Sequence, residues 1–228
     1  SALAVSVSGQ GTWETTLQGR DLDGNATTYE AYYDTTLDIT WLADANAAGT
    51  GMTWADAKTW ANNLNVNGVT GWRLPTLSPI DGTAFNFTYG YDGTTDASYS
   101  VSAPGTTYAG STASEMAHLY YNTLGNLARL GTSGAVRSGW GLTNTGPFSN
   151  FQSGSVFPSG SYWTGLDCAP YACAFSFYNG FQGVEYKTNA LFALAVRPGD
   201  ISAVPVPAAL WLFGSGLMGL LGMAKRTR

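Results

Sequence analysis

The sequence predicts an α+β domain built from two helices, many short strands and two long irregular stretches, followed by a C-terminal hydrophobic helix. Three observations carry this reading. Two segments have helical periodicity with capping residues, several strand-like runs are punctuated by turn residues, and 21 uncharged residues precede a basic end. With 228 residues the chain is long enough to bury one sizeable core. Residues 1–200 read as an extracytoplasmic domain, 201–207 as a Pro-containing linker, and 208–228 as the hydrophobic helix with its basic end.

The first helix is TWADAKTWANNL, with Thr53 as N-cap, Asp56 three residues on, and Trp54, Ala57, Ala61 and Leu64 on one face. The second is TASEMAHLYYNTLGNLARL, where Thr112 and Glu115 read as a capping box and Met116, Leu119, Tyr120, Thr123 and Leu127 as the apolar stripe. TWETTL, YWTGL, CAFSFY and FALAVRP read as strands, with turn signals at Asp23-Gly24, Asn179-Gly180 and Pro198-Gly199. Asp81–Gly110 and Thr143–Ser161 lack helical patterning and are rich in Gly, Ser, Thr, Asn and aromatic residues. Within the first, Phe85, Phe87, Tyr89 and Tyr91 alternate, which predicts a strand with one aromatic face. That face either packs on the domain's own core or is offered to a sugar ring or a neighbouring subunit.

Charged residues make up only 11 % of the chain, far below the usual quarter, yet 8 Trp, 13 Tyr and 10 Phe exclude a disordered polymer. Before the tail, Arg20, Lys58, Arg73, Arg129, Arg137, Lys187 and Arg197 stand against fifteen acids, a net −8. A domain of that sign repels phosphate and sulfate polymers at long range, so nucleic acid and sulfated polysaccharides are discounted as partners. Cys168 and Cys173 are the only cysteines and His118 the only histidine, too few ligands for a structural zinc site. The two cysteines read as a disulfide closing the hairpin between YWTGL and AFSFY, the alternative being two free thiols in a turn.

From Val204 to Ala224 no residue is charged, and Lys225, Arg226 and Arg228 follow. With Pro207 in the first turn, a helix from Ala208 to Ala224 would extend about 25 Å, close to the hydrocarbon thickness of a bilayer. The basic end belongs on the cytoplasmic side, which puts residues 1–200 outside. Gly216, Gly219 and Gly222 recur every third residue, and Ser215 and Gly219 form a small-xxx-small pair that favours helix–helix contact. The opening SALAVSVSG has neither Met nor a charged n-region and reads as a processed N-terminus.

The segment VPVPAALWLFGSGLMGLLGMAKRTR resembles a PEP-CTERM sorting signal of the VPxP variety, with Val204-Pro205-Val206-Pro207 as the motif and without the Glu of the founding tripeptide. The resemblance implies an exosortase-type processing enzyme as partner. It also implies export to the cell envelope, outer surface or extracellular matrix of a Gram-negative bacterium, in association with exopolysaccharide. Five further segments, YYDTTLDITWLADAN, MTWADAKTWANNL with GWRLPT, SEMAHLYYNTLGN, YWTG with AFSFYNGFQ, and ALAVRPGD, span residues 32–200. Together they resemble the family typified by the C-terminal domain of a bacterial collagen-like adhesin, a relative of the C-type-lectin-like fold. This implies two helices flanking small antiparallel sheets with long irregular loops. Trp163-Thr164-Gly165 stands where calcium-dependent lectins carry Trp-Asn-Asp, and Leu77-Ser78-Pro79 follows WRLPT, so no calcium–sugar site transfers.

DLDGN puts Asp21, Asp23 and Asn25 at alternating positions, as at the start of a calcium loop. Ala26 and Tyr32 then occupy the positions that Gly and Glu hold in such loops, and a polar hairpin turn is the alternative. No other cofactor is expected. Arg73 and Arg197, each close to a proline in an apolar run, are expected to meet a carboxylate or carbonyls, with Asp44 or Asp200 as candidates. His118, just off the apolar stripe, reads as a surface or boundary histidine. No nucleophile elbow or phosphate loop is present, so the expected role is non-catalytic: a structural or adhesive surface protein. Two alternatives stand beside it. One is a self-assembling filament or matrix subunit whose retained C-terminal helices bundle into a homo-oligomer. The other is an extracytoplasmic enzyme of the formylglycine-generating type, which would need a reactive cysteine pair.

Overall fold

The computed structural model describes residues 11–25, 27–156 and 160–201. In chain order the elements are α1 (Trp13–Thr16), β1 (Leu17–Arg20), β2 (Ala31–Asp34), β3 (Ile39–Leu42), α2 (Trp54–Asn63), β4 (Tyr89–Gly90) and β5 (Ala97–Ser98). There follow α3 (Glu115–His118), a π-helical turn (Leu119–Thr123), β6 (Ser161–Cys168), β7 (Tyr171–Ser176), β8 (Gln182–Glu185) and β9 (Val196–Pro198).

One sheet is a four-stranded antiparallel ladder in the order β1-β2-β3-β9, so the last described strand returns to pair with β3 near the start of the chain. The β2–β3 turn is fixed locally: Asp34 Oδ1 accepts the backbone N–H of Thr36 at 2.9 Å and of Leu37 at 3.2 Å. The segment around Arg73 runs along β9, exchanging both backbone hydrogen bonds with Val196 at 2.8 and 2.9 Å. The second sheet is antiparallel in the order β6-β7-β8, with an irregularity between Trp163 and Asp167 where Gly165 lies. β4 and β5 form a two-residue parallel pair.

α2 forms where its sequence signals place it. The Thr53 hydroxyl accepts from Asp56 N at 3.3 Å and donates to the Asp56 carboxylate at 2.6 Å. Trp54, Ala57 and Ala61 face inward against Leu74, Trp163, Ala172, Ala174 and Leu191. Both indoles of that contact are satisfied: Trp54 Nε1 donates to Thr164 O and Trp163 Nε1 to Met52 O, each at 2.8 Å. A larger cluster lies around α3 and the π turn, where Trp41, Met116, Tyr120, Tyr121, Tyr162, Phe175 and Phe177 interlock. Their rings meet edge to face, Tyr120 with Phe175 at 5.5 Å and Tyr162 with Phe177 at 5.2 Å.

The architecture corrects the expected fold class. Three sheets dominate, and α2 is the one α-helix longer than four residues among the described residues. The helix expected over residues 112–130 shrinks to α3 and the π turn, for a clear reason. Glu115 to Tyr121 are all buried, so the segment has no solvent face to support a long amphipathic helix. Leu124 N bonds Leu119 O in the wide π pattern, and Gly125, at φ +70°, ends the run. Its N-cap is Ser114, whose hydroxyl accepts from Ala117 N, rather than Thr112. TWETTL is one turn of helix leading into β1, not a strand. The expected C-terminal hydrophobic helix, with Val204, Pro205, Val206, Pro207, Lys225, Arg226 and Arg228, lies outside the described residues. No described helix is long and apolar enough to cross a membrane.

Candidate functional site

Residues 81–110, expected as one long loop, contain a buried spine. Asp96 through Ala103 (DASYSVSA) is buried at every position. Small side chains allow this: Ala97, Ser98, Ser100, Ser102 and Ala103 let the backbone pass between β8 and the π turn. Ser100 N donates to the Tyr121 hydroxyl, and Asn122 Nδ2 donates to Ser102 O at 3.0 Å. At its start the Asp96 carboxylate accepts Ile80 N at 2.9 Å and Asn86 N at 2.8 Å, and Gln182 Nε2 donates to Asp96 O at 3.0 Å. Burial pushes the Asp96 carboxyl above its ordinary pKa, against the pull of the two backbone donors.

Held on this spine, residues 85–91 present their alternating aromatics outward. Phe85, Phe87, Tyr89 and Tyr91 are 37, 39, 55 and 39 % exposed, in a chain whose Trp41, Trp72, Trp163, Phe175 and Phe177 are fully buried. The Phe85 and Phe87 rings stack at 5.5 Å with only 8° between their planes. Tyr89 meets Tyr91 edge-on at 5.2 Å and is backed by Phe181 at 5.5 Å and Tyr99 at 6.4 Å. Gly134, at φ +79°, lies beside Tyr91, where an added Cβ would make ordinary contact with the ring at 3.5 Å. Gly93 closes the turn beneath the ridge at φ +74°, and a Cβ there would come within 2.3 Å of Ser100 O, so only glycine fits. Burial, then the neighbouring Tyr91, raises the Tyr89 hydroxyl pKa, while the Arg129 charge opposes them. The result is a partly wetted ridge of rings and hydroxyls on a hydrogen-bonded support, its ring planes parallel at Phe85–Phe87 and perpendicular at Tyr89–Tyr91. Such a surface can stack on the C–H face of a pyranose and hydrogen-bond to its hydroxyls.

Arg73 is held by Glu115, not by Asp44 or Asp200. Its Nη1 and Nη2 donate to the two carboxylate oxygens at 2.8 and 2.7 Å, Nη1 also donates to Leu74 O at 3.1 Å, and Thr76 N donates to Glu115 Oε2 at 2.6 Å. Arg197 meets carbonyls: Nε donates to Thr70 O at 2.9 Å, and Nη1 to Pro198 O and Asp200 O, each at 3.4 Å. Asp200 instead pairs with Arg20 at 2.6 and 2.8 Å, which holds its carboxyl below the ordinary range. Asp44 accepts Asn46 N and the Asn150 side chain.

Asp21 and Asp23 come together with Glu30, their carboxylate oxygens within 4.8 Å of one another. Each is engaged in closing its own loop. Asp21 accepts Gly24 N at 2.7 Å, Asp23 accepts Asn25 N at 2.7 Å and Glu30 accepts Leu22 N at 2.7 Å, while Asn25 turns its side chain to Thr27. Cys168 and Cys173 form a disulfide across the β6–β7 hairpin, packed on Leu77, Leu166 and Val184. His118 is buried rather than at the boundary, with Nδ1 3.1 Å from Ser111 O.

Sequence reasoning missed Glu115 as the arginine's partner, Asp96 as the clamp, and Tyr99 and Phe181 as the backing of the ridge. In the sequence the first reads as a cap and the second as a loop residue; no local pattern marks the other two. Comparison with known proteins found no matching family model, no matching curated protein and no matching solved structure.

Proposed function

We propose that this chain is a non-catalytic, exported cell-surface or matrix protein that adheres to neutral glycan through the aromatic ridge Phe85–Tyr91. The observation that carries the reading is the exposure of four alternating rings, two of them stacked face to face, on a loop clamped by a buried carboxylate. A side-chain array that costs solvation and is rigidly supported belongs to a contact surface. The net negative charge of the chain favours a neutral over a polyanionic polymer.

Export is supported by the Cys168–Cys173 disulfide, which suits an oxidising compartment. The uncharged run Val204–Ala224 with Lys225, Arg226 and Arg228 after it supports retention at a membrane and sorting by an exosortase-type enzyme. Both thiols are engaged in that disulfide, so the formylglycine-generating alternative would require the bond to be readily reduced.

Co-sedimentation of the full-length chain with an insoluble neutral exopolysaccharide tests the reading. Retention is expected to fall by about tenfold or more in Phe85→Ala/Phe87→Ala, with the fold intact by circular dichroism. Equal retention of wild type and variant contradicts it. If the same variant instead breaks up an oligomer and leaves glycan retention unchanged, the ridge is a subunit contact and the adhesive reading falls.

A further inference from the structure

A second concave site lies apart from the ridge, between α2 and the start of the β6 irregularity. It is a cavity of about 300 Å³ lined by Lys58, Asn62, Arg73, Leu74, Thr76, Leu77, Gly165 and Leu166, a size at the lower end for small-ligand sites. Leu74, Leu77 and Leu166 form apolar walls, while Lys58, Asn62, Arg73 and Thr76 supply polar groups. Among the described residues no acidic side chain lines it, although the chain as a whole carries net −5. The nearby acids are committed: Glu115 to Arg73 and to Thr76 N, and Asp167 to Lys187 at 2.6 Å. Lys58 and Arg73 are the cations that line it, and the Lys58 ammonium lies 3.6 Å from the centroid of the Trp54 ring, which the Asp167-paired Lys187 also approaches at 4.9 Å.

The guanidinium of Arg73 is the informative part. A guanidinium has five N–H donors. Glu115 and Leu74 O take both on Nη1 and one on Nη2. Among the described residues Nε–H and the second Nη2–H have no acceptor, and these two form the side-on fork that matches a carboxylate bidentately. The Glu115 pair fixes the plane of that fork in advance, so little side-chain entropy is lost when it is used. Lys58 sits on the same cavity with an aromatic face as its contact, and an ammonium so placed takes an anion at its outward hydrogens. The exposed Asn62 and Thr76 side chains offer donors and acceptors of the kind that hydroxyls require.

We propose that this cavity binds a uronic-acid-type ligand: one hydroxylated six-membered ring carrying a single carboxylate. The carboxylate meets Arg73 and Lys58, the hydroxyls meet Asn62 and Thr76, and the C–H face lies on Leu74, Leu77 and Leu166. This site does not depend on the aromatic ridge, so either assignment can fail alone.

The test is a titration of the full chain, followed by amide NMR, with three probes: sodium glucuronate, glucose and sodium cyclohexanecarboxylate. Glucuronate is expected to shift the Leu74, Thr76 and Gly165 signals saturably, and glucose and cyclohexanecarboxylate to bind about tenfold more weakly or worse, each lacking one recognition element. Lys58→Gln is expected to weaken glucuronate by about tenfold and Lys58→Arg to restore it, while Phe85→Ala/Phe87→Ala leaves it unchanged. Absence of a saturable shift overturns the proposal, as does glucose binding equal to glucuronate. Cyclohexanecarboxylate binding as tightly as glucuronate overturns the sugar assignment. A glucuronate affinity indifferent to Lys58→Gln, in a variant with an unaltered spectrum elsewhere, overturns the site.

Discussion

Asp96 accepts one backbone N–H on each carboxylate oxygen, from Ile80 and Asn86, while only 1 % exposed. Asparagine keeps the shape and supplies one acceptor, so Asp96→Asn leaves a buried N–H facing another. The expected cost is about 1–3 kcal/mol, read as a lowered urea midpoint with unchanged slope; an unchanged midpoint contradicts the clamp. The pH dependence has a definite sign. Burial raises the Asp34 and Asp96 carboxyls, so the folded chain holds these protons more tightly than the unfolded one. As pH rises from about 4 through the raised values, their ionisation subtracts stability, and below that range the penalty is absent. Asp200 runs the other way: its pair with Arg20 stabilises above about pH 4 and is lost as pH falls through the depressed value. Its contribution is small because the carboxylate is half exposed. At this scale the sequence tells that Arg73 and Arg197 need partners, but not which. Glu115 lies 42 residues from Arg73, and its spacing from Thr112 imitates a cap.

α2 was legible because one face is buried and the other wet, so the 3.6-residue period and the Thr53 cap agree. α3 and the π turn were not, because a segment buried on all sides has no polar face to set its length. The β6–β7 hairpin is legible from its aromatic residues and from its cysteines, which the structure joins at a Cα–Cα distance of 5.6 Å. That bond closes a short ring, so the entropy it removes from the unfolded chain is modest, about 2 kcal/mol. Its further contribution is local: it holds β6 and β7 against Leu77, one wall of the Arg73 cavity. Replacement of both cysteines by serine is expected to lower stability by about 2 kcal/mol, seen as a reduced Tm, and to broaden amide signals of Leu77 and Leu166. A Tm within error of wild type contradicts the assignment.

The whole molecule is more sheet and less helix than the sequence predicts, and its least legible part is the one that matters most. DASYSVSA reads as a polar loop, yet it is a buried spine, because small side chains leave space for backbone hydrogen bonding where larger apolar ones would fill it. The alternation Phe85, Phe87, Tyr89, Tyr91 was visible, whereas its outward direction depends on that spine and on Phe181 and Tyr99 behind it. The charge pattern agrees with this arrangement. On the proposed reading a sparse, net negative surface suits a contact with an uncharged polymer at the ridge, and Lys58 and Arg73 at their cavity are a separate, local exception. The most direct measurement is a map of aromatic ring-proton shifts in the full-length chain as neutral glycan fragments are added. The account predicts saturable shifts at Phe85, Phe87, Tyr89 and Tyr91 with Phe175 and Phe177 still; shifts centred elsewhere, or none at saturating glycan, would contradict it.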